Sequence, residues 1–105
     1  MNNFPFPPTE ENKPQVAYSE MKIKCLITDI EKRVDKYQKD YWVIRTLLGE
    51  TRKSYLAFSG DHALSQKTAY LLINYEQLIN KTAVLTIKKR NKDNTEKVIH
   101  LELEK

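Results

Sequence analysis

The most constraining feature of this chain is an alternation of period two that recurs in short runs along most of its length. Met21, Ile23, Cys25 and Ile27 alternate with Lys22, Lys24, Leu26 and Thr28, giving a first half-buried strand that runs to about Ile30. Tyr41–Leu48 is rich in β-branched and aromatic residues, and Arg52–Ser59 follows it across Gly49-Glu50-Thr51, so a hairpin is expected. Thr82–Lys89 and Lys97–Glu104 alternate again on either side of the turn cluster Asn91-Lys-Asp-Asn94, giving a second hairpin. Parallel strands need crossovers of a dozen or more residues. Four of these strands are joined too closely for that, so the pattern predicts a mainly β, antiparallel fold of five strands.

The connections carry different signals. Glu31–Asp40 is charged and reads as a loop. Residues 62–80 fit helical spacing only in pieces. Short helical turns are expected near 63–67 and 75–80, with Tyr70–Ile73 extended and Asn74 capping the second turn, Gln77 standing three residues on.

Residues 1–20 contain all four prolines and read as a disordered, Pro-rich tail, leaving 21–105 as one domain. The tail has one lysine against three acids, and the body 17 cations against 11 acids, so a net −2 sits beside a net +6. Phe4 and Phe6, flanking Pro5, are candidate anchors for a protein partner. No apolar run approaches the ~18 residues of a membrane span, and the N-terminus lacks the basic and apolar regions of a secretory signal. A single cysteine, Cys25, excludes an internal disulfide and a Cys-based zinc site, and with two histidines leaves little for a metal centre. The expectation is a cytoplasmic protein, in a reducing compartment, with neither metal nor other cofactor.

Lys24-Cys-Leu-Ile-Thr-Asp-Ile30 and Asp40-Tyr-Trp-Val-Ile-Arg45 look like the first two strands of single-stranded-DNA-binding members of the oligonucleotide/oligosaccharide-binding (OB) fold. The strand order, with its helical segment between strands 3 and 4, also resembles that family. The resemblance covers residues 21–105 and implies a small five-stranded antiparallel OB-like barrel, with the loops after strand 1 and between strands 4 and 5 flanking a binding face. The chain departs from the family in glycine. Only Gly49 and Gly60 occur, and neither falls in the first strand to bend it. An open sheet or an SH3-like barrel therefore stays an alternative.

With Ile23, Cys25, Ile27, Trp42, Ile44, Leu48, Leu56, Phe58, Ala83, Leu85, Ile87, Ile99, Leu101 and Leu103 inward, alternation puts Lys22, Lys24, Tyr41, Arg45, Lys53 and Tyr55 on one outer face. Rings between cations suit single strands, which stack bases on the rings and run phosphates past the cations. The flanking loops, both basic, with Lys39 in the first and Lys89 and Lys97 in the second, add Lys32, Arg33, Lys36 and Tyr37 on one side and Lys88, Arg90 and Lys92 on the other. Val98, His100, Glu102 and Glu104 would make the outer face of the last strand acidic, directing phosphate to strands 1–3. Trp42 reads as core. A register shifted by one would instead make it the main stacking residue.

No Gly-rich phosphate loop, paired histidines or acidic cluster is present, and the local grouping of Ser59, Asp61, His62 and Ser65 lacks a hydrolase signature, so an enzyme is not expected. Two functions follow. The first is a single-stranded DNA-binding protein of replication, recombination or repair, with little sequence preference; RNA is the close variant and a homo-oligomer is open. The second is a small β-barrel interaction module, or subunit of a larger complex, docking through its tail or a sheet edge.

Overall fold

The computed structural model describes residues 18–92 and 94–104. Five strands, β1 (Tyr18–Val34), β2 (Asp40–Leu48), β3 (Thr51–Phe58), β4 (Thr82–Arg90) and β5 (Thr95–Leu103), form one sheet in the order β1-β2-β3-β5-β4 that closes in a ring. Helix α1 (Gln66–Ile73) and a 3-10 turn, Tyr75–Leu78, lie between β3 and β4. The neighbours are antiparallel except at the seam, where β3 and β5 run parallel through Leu56 and Lys97. The all-antiparallel expectation is thereby corrected. Both strands of the seam start from tight hairpins, which turn them the same way round the ring.

β1 is much longer than its alternation suggested, because it serves two walls. Tyr18–Leu26 pairs with β4 and Leu26–Val34 with β2. Tyr18, Ser19 and Glu20, assigned above to the tail, are opposite Arg90, Lys89 and Lys88. Glu31–Val34, assigned to the loop, continue the strand. Phe4 and Phe6 lie outside the described residues.

Thr28 does the bending that no glycine supplies. The register passes from Ile27 opposite Thr46 to Asp29 opposite Arg45, leaving Thr28 as an extra residue whose hydroxyl donates to the Arg45 carbonyl at 3.2 Å. Such a bulge kinks and twists a strand. It also resets the alternation, so that Cys25 and Ile27 before it and Ile30 after it all face the core.

The hairpin register overturns the face assigned to β3. Gly49, at φ 62°, and Glu50 make a two-residue turn that sets Leu48 opposite Thr51, and counting back sets Ile44 opposite Tyr55 and Trp42 opposite Ala57. Trp42 faces inward, 5% exposed, so Tyr55 and Ala57 must as well, and Leu56 and Phe58 turn outward. The broad indole packs opposite a methyl group, a large-to-small match that favours this register. Leu48, at the turn, is exposed.

In β5 a shift opposite Thr86–Ile87 leaves Ile99 as the extra residue, so Val98 and Leu101 are buried and Ile99 and Leu103 are not. The core is completed by Ile27, Ile44, Leu85, Ile87 and Leu101, each at 0% exposure, and by Leu72 and Leu78 from the helical connection. Burying such a side chain stabilises by roughly 1.5–3 kcal/mol.

α1 spans Tyr70–Ile73, which were expected to be extended, and its cap is Ser65, whose Oγ accepts from Thr68 N–H at 3.1 Å. Asn74 makes no side-chain cap for the following turn. The start of α1 also covers the edge of β5 beyond the seam. Ser65 N–H donates to the Ile99 carbonyl, and Leu101 N–H donates to Thr68 Oγ1, both at 2.8 Å. Two ion pairs bind the seam itself, Lys53 to Glu96 at 2.8 Å and Lys97 to Asp61 at 2.9 Å.

Candidate nucleic-acid interface

The β1–β2 loop is held by one side chain. Asp35 Oδ1 accepts from the amides of Tyr37 (2.8 Å) and Lys39 (2.9 Å), while Asp35 N–H donates to the Lys39 carbonyl at 2.9 Å and Gln38 takes φ 65°. This aspartate-centred turn fixes Tyr37 at the tip, 70% exposed, with Lys36 Nζ 5.1 Å from its ring centre.

Below the tip, Tyr41 on β2 and Phe58 on β3 are opposite one another and stack, ring centroids 5.8 Å apart at 26°. Both belong to the outward set, so the β3 ring that joins Tyr41 on the outside of the sheet is Phe58 and not Tyr55. Lys97 reaches the same region from β5, and Arg90 from the end of β4. Together Tyr37, Lys39, Phe58, Arg90 and Lys97 line an open groove of about 530 Å³ between the β1–β2 loop and the start of β5. On its far side Tyr18, Lys88, Arg90 and Lys97 line a small adjoining hollow, with Lys88 Nζ 4.3 Å over the Tyr18 ring. Cations so placed over rings are attracted to the π-face.

Three acids also border the groove, each already engaged. Asp35 is bound to its own loop, Asp40 is 3.6 Å from Lys32, and Asp61 pairs with Lys97 and accepts from Ala63 N–H at 3.0 Å.

The structure divides the residues proposed from sequence. Tyr37, Tyr41, Lys88 and Arg90 surround or adjoin the groove. Lys36 stands at its rim, over Tyr37, and Lys92 is an exposed residue of the β4–β5 turn. Lys22 and Lys24 are on the outer side of the β1–β4 wall instead, where Lys24 pairs with Glu104 and Lys22 lies near enough to act on Glu102. The last strand's acids thus face these lysines rather than standing apart from them. Lys32 and Arg33 are strand residues, paired with Asp40 and Glu31. Arg45 is clamped by Asp29 at 3.2 Å and Glu31 at 3.1 Å. The Arg33 and Arg45 guanidiniums hold the Glu31 carboxyl below its ordinary range.

Tyr55 is corrected outright. It is 3% exposed inside the ring, and burial raises its phenol pKa, so neither face is open to a base. Lys53 sits 5.2 Å over that ring and pairs with Glu96, a seam contact. Trp42 is likewise core.

Tyr18 and Phe58 were missed, while Lys39 and Lys97 counted only among the cations of the flanking loops. For Phe58 the signal was present: the two-residue turn forces its register with Tyr41. For Tyr18 no local signal exists, because a separate element brings it to this surface.

Asp61 and His62 do not act as a pair, since the Asp61 carboxylate is turned to Lys97 and Ala63. Ser65 instead meets His100, its Oγ 2.8 Å from Nδ1, while His100 Nε2 is 3.0 Å from Glu102. That hydroxyl also lies 2.8 Å from Thr68 Oγ1 and caps α1, so its polar contacts tie helix to strand. No group of three or more metal-ligating side chains occurs among the described residues, and none of their helices is long and apolar enough to cross a membrane.

No protein-family model matches the chain, and a search of curated proteins finds no significant match.

Proposed function

We propose that this chain binds single-stranded nucleic acid, DNA in the first instance, in the groove between the β1–β2 loop and the β4–β5 end. The reading treats the closed β1-β2-β3-β5-β4 sheet as an OB-like barrel, whose two flanking loops are those that border the groove. The observation that carries it is the combination on one surface of an exposed Tyr37, the Tyr41–Phe58 stack and Tyr18 with Lys39, Lys88, Arg90 and Lys97. Bases stack on rings for about 1–3 kcal/mol each, and lysine and arginine follow the phosphates. Stacking and phosphate contacts are tolerant of sequence, so little sequence preference is expected.

On the strand 1–3 face first expected, Arg45, Arg33 and Lys32 each face an acid that phosphate would have to displace. Lys97 at the groove is likewise paired, with Asp61, so it is the cluster of rings that favours the groove.

The test is anisotropy of a labelled oligo-dT against oligo-U and duplex at two salt concentrations. Intrinsic fluorescence is a poor reporter because Trp42 is in the core. Tighter binding of oligo-dT than of duplex, weakening steeply with salt, supports the reading. No binding at low salt overturns it.

A further inference from the structure

The ring of strands is closed at a single parallel register pair, Leu56 with Lys97. Before it, Thr51–Ser54 of β3 pair only with β2, and all four are exposed. The direction of their backbone groups can be fixed. The Lys53 carbonyl accepts from Thr46 Oγ1 at 2.8 Å, so Lys53 faces β2. The Arg45 carbonyl, which accepts from Thr28, faces β1, so its partner Ser54 is not bonded to it across the β2–β3 pair. In an antiparallel pair a residue turns its N–H and C=O to the same side. Arg52 and Ser54 therefore direct theirs away from β2, as Leu56 does toward β5. Among the described residues no strand receives them.

This contrasts with β5, whose edge past the seam is covered by Ser65 and Thr68. Among the described residues the β3 edge has only its charge for protection. That charge selects the partner. Arg52 and Lys53 border it, and beside it Thr28, Arg45, Thr46, Arg52, Lys53 and Ser54 line a hollow of about 280 Å³; Lys53 is held there by Glu96 and Arg45 by Asp29 and Glu31, so Arg52 is the cation the hollow offers. A second copy of this edge would bring Arg52 and Lys53 against themselves, and like charges across a strand pair are destabilising.

We propose that the β3 edge, Thr51–Ser54, is a docking site for an extended acidic segment of a partner protein. The segment adds as a strand, its backbone pairing with Arg52 and Ser54 and a carboxylate meeting the Arg52 guanidinium at the hollow. The site is separate from the groove and holds whether or not the groove binds nucleic acid.

The experiment uses the full chain and a fluorescein-labelled peptide of alternating Glu and Val, with a Lys-Val peptide as control. The Glu-Val peptide is expected to bind, to weaken with salt, and to slow hydrogen exchange at the Arg52 and Ser54 amides. Arg52→Glu should lower affinity by about tenfold, and Ser54→Pro, which removes one outward N–H, should abolish the exchange protection. Arg52 is exposed on the rim of the fold, so its variant keeps the test sound if Ser54→Pro does not fold. Equal binding of the Lys-Val peptide overturns the proposal. So does protection confined to the groove. Protection that rises with protein concentration and no peptide would assign the edge to a second copy, and also overturns it.

Discussion

Tyr41 and Phe58 face one another across β2 and β3 and stack on the outside of the sheet, their centroids 5.8 Å apart. Two flat rings side by side, with Phe58 lining the groove, would serve the proposed binding as a platform for bases, and neither belongs to the buried core. Phe58→Ala is expected to weaken oligo-dT binding by about 1–3 kcal/mol, and Tyr41→Ala by a similar amount. Because each ring supports the other, the double variant should lose less than the sum. Anisotropy titration measures all three. Unchanged affinity in both single variants would remove the platform from the site.

The cations separate into those at the groove and those elsewhere. Lys39→Ala and Lys88→Ala should each reduce the slope of log K against log salt by about 0.7, the value for one phosphate contact on a single strand. Lys24→Ala should leave it unchanged, since Lys24 is paired with Glu104 on the β1–β4 wall. A slope that responds to Lys24 as much as to Lys88 would return the interface to the outer face of β1.

Ser65 and Thr68 join α1 to β5. Ser65→Ala removes the helix cap and should cost about 1 kcal/mol. Thr68→Val keeps the shape but orphans Leu101 N–H at a residue with 0% exposure, which should cost about 1–3 kcal/mol. Guanidinium unfolding gives both values. Hydrogen exchange at the Leu101 amide should rise in Thr68→Val and stay slow in Ser65→Ala.

Asp61 gives the seam a dependence on acid. Burial alone would raise its carboxyl, but the Lys97 ammonium 2.9 Å away and the hydrogen bond from the Ala63 amide outweigh burial and hold it below its ordinary 3.8. The folded chain therefore takes up this proton less readily than the unfolded one. The stabilisation is complete above about pH 4 and is lost as pH falls through the lower folded value. Asp61→Asn should destabilise by about 1 kcal/mol at neutral pH, with the difference from the parent protein shrinking as pH approaches 3. A constant difference from pH 7 to pH 3 would show that the charge is not what matters.

Alternation alone determined much of this protein. Five strands, the two hairpins, the helical connection, and the inward sets of β2 and β4 through Trp42, Ile44, Ala83, Leu85 and Ile87 all follow from residue type at period two. Burial of one sheet face imposes that period directly on sequence. The short Gly49-Glu50 turn would also have placed Tyr55 inside and Phe58 outside. Its two-residue length carries more information than the greater hydrophobicity of Leu56 and Phe58.

Tertiary structure decided the rest, because bulges and ion pairs depend on partners distant in sequence. A bulge at Thr28 bends β1 round two walls without glycine, and nothing in Ile27-Thr28-Asp29 announces it. The opposition of Lys24 to Glu104, and of Arg45 to Asp29 and Glu31, exists only once the sheet closes. Closure neutralised much of the face that alternation made basic. It also moved the candidate site to a groove lined by Lys39, Phe58 and Lys97, with Tyr18 in the adjoining hollow, residues far apart along the chain.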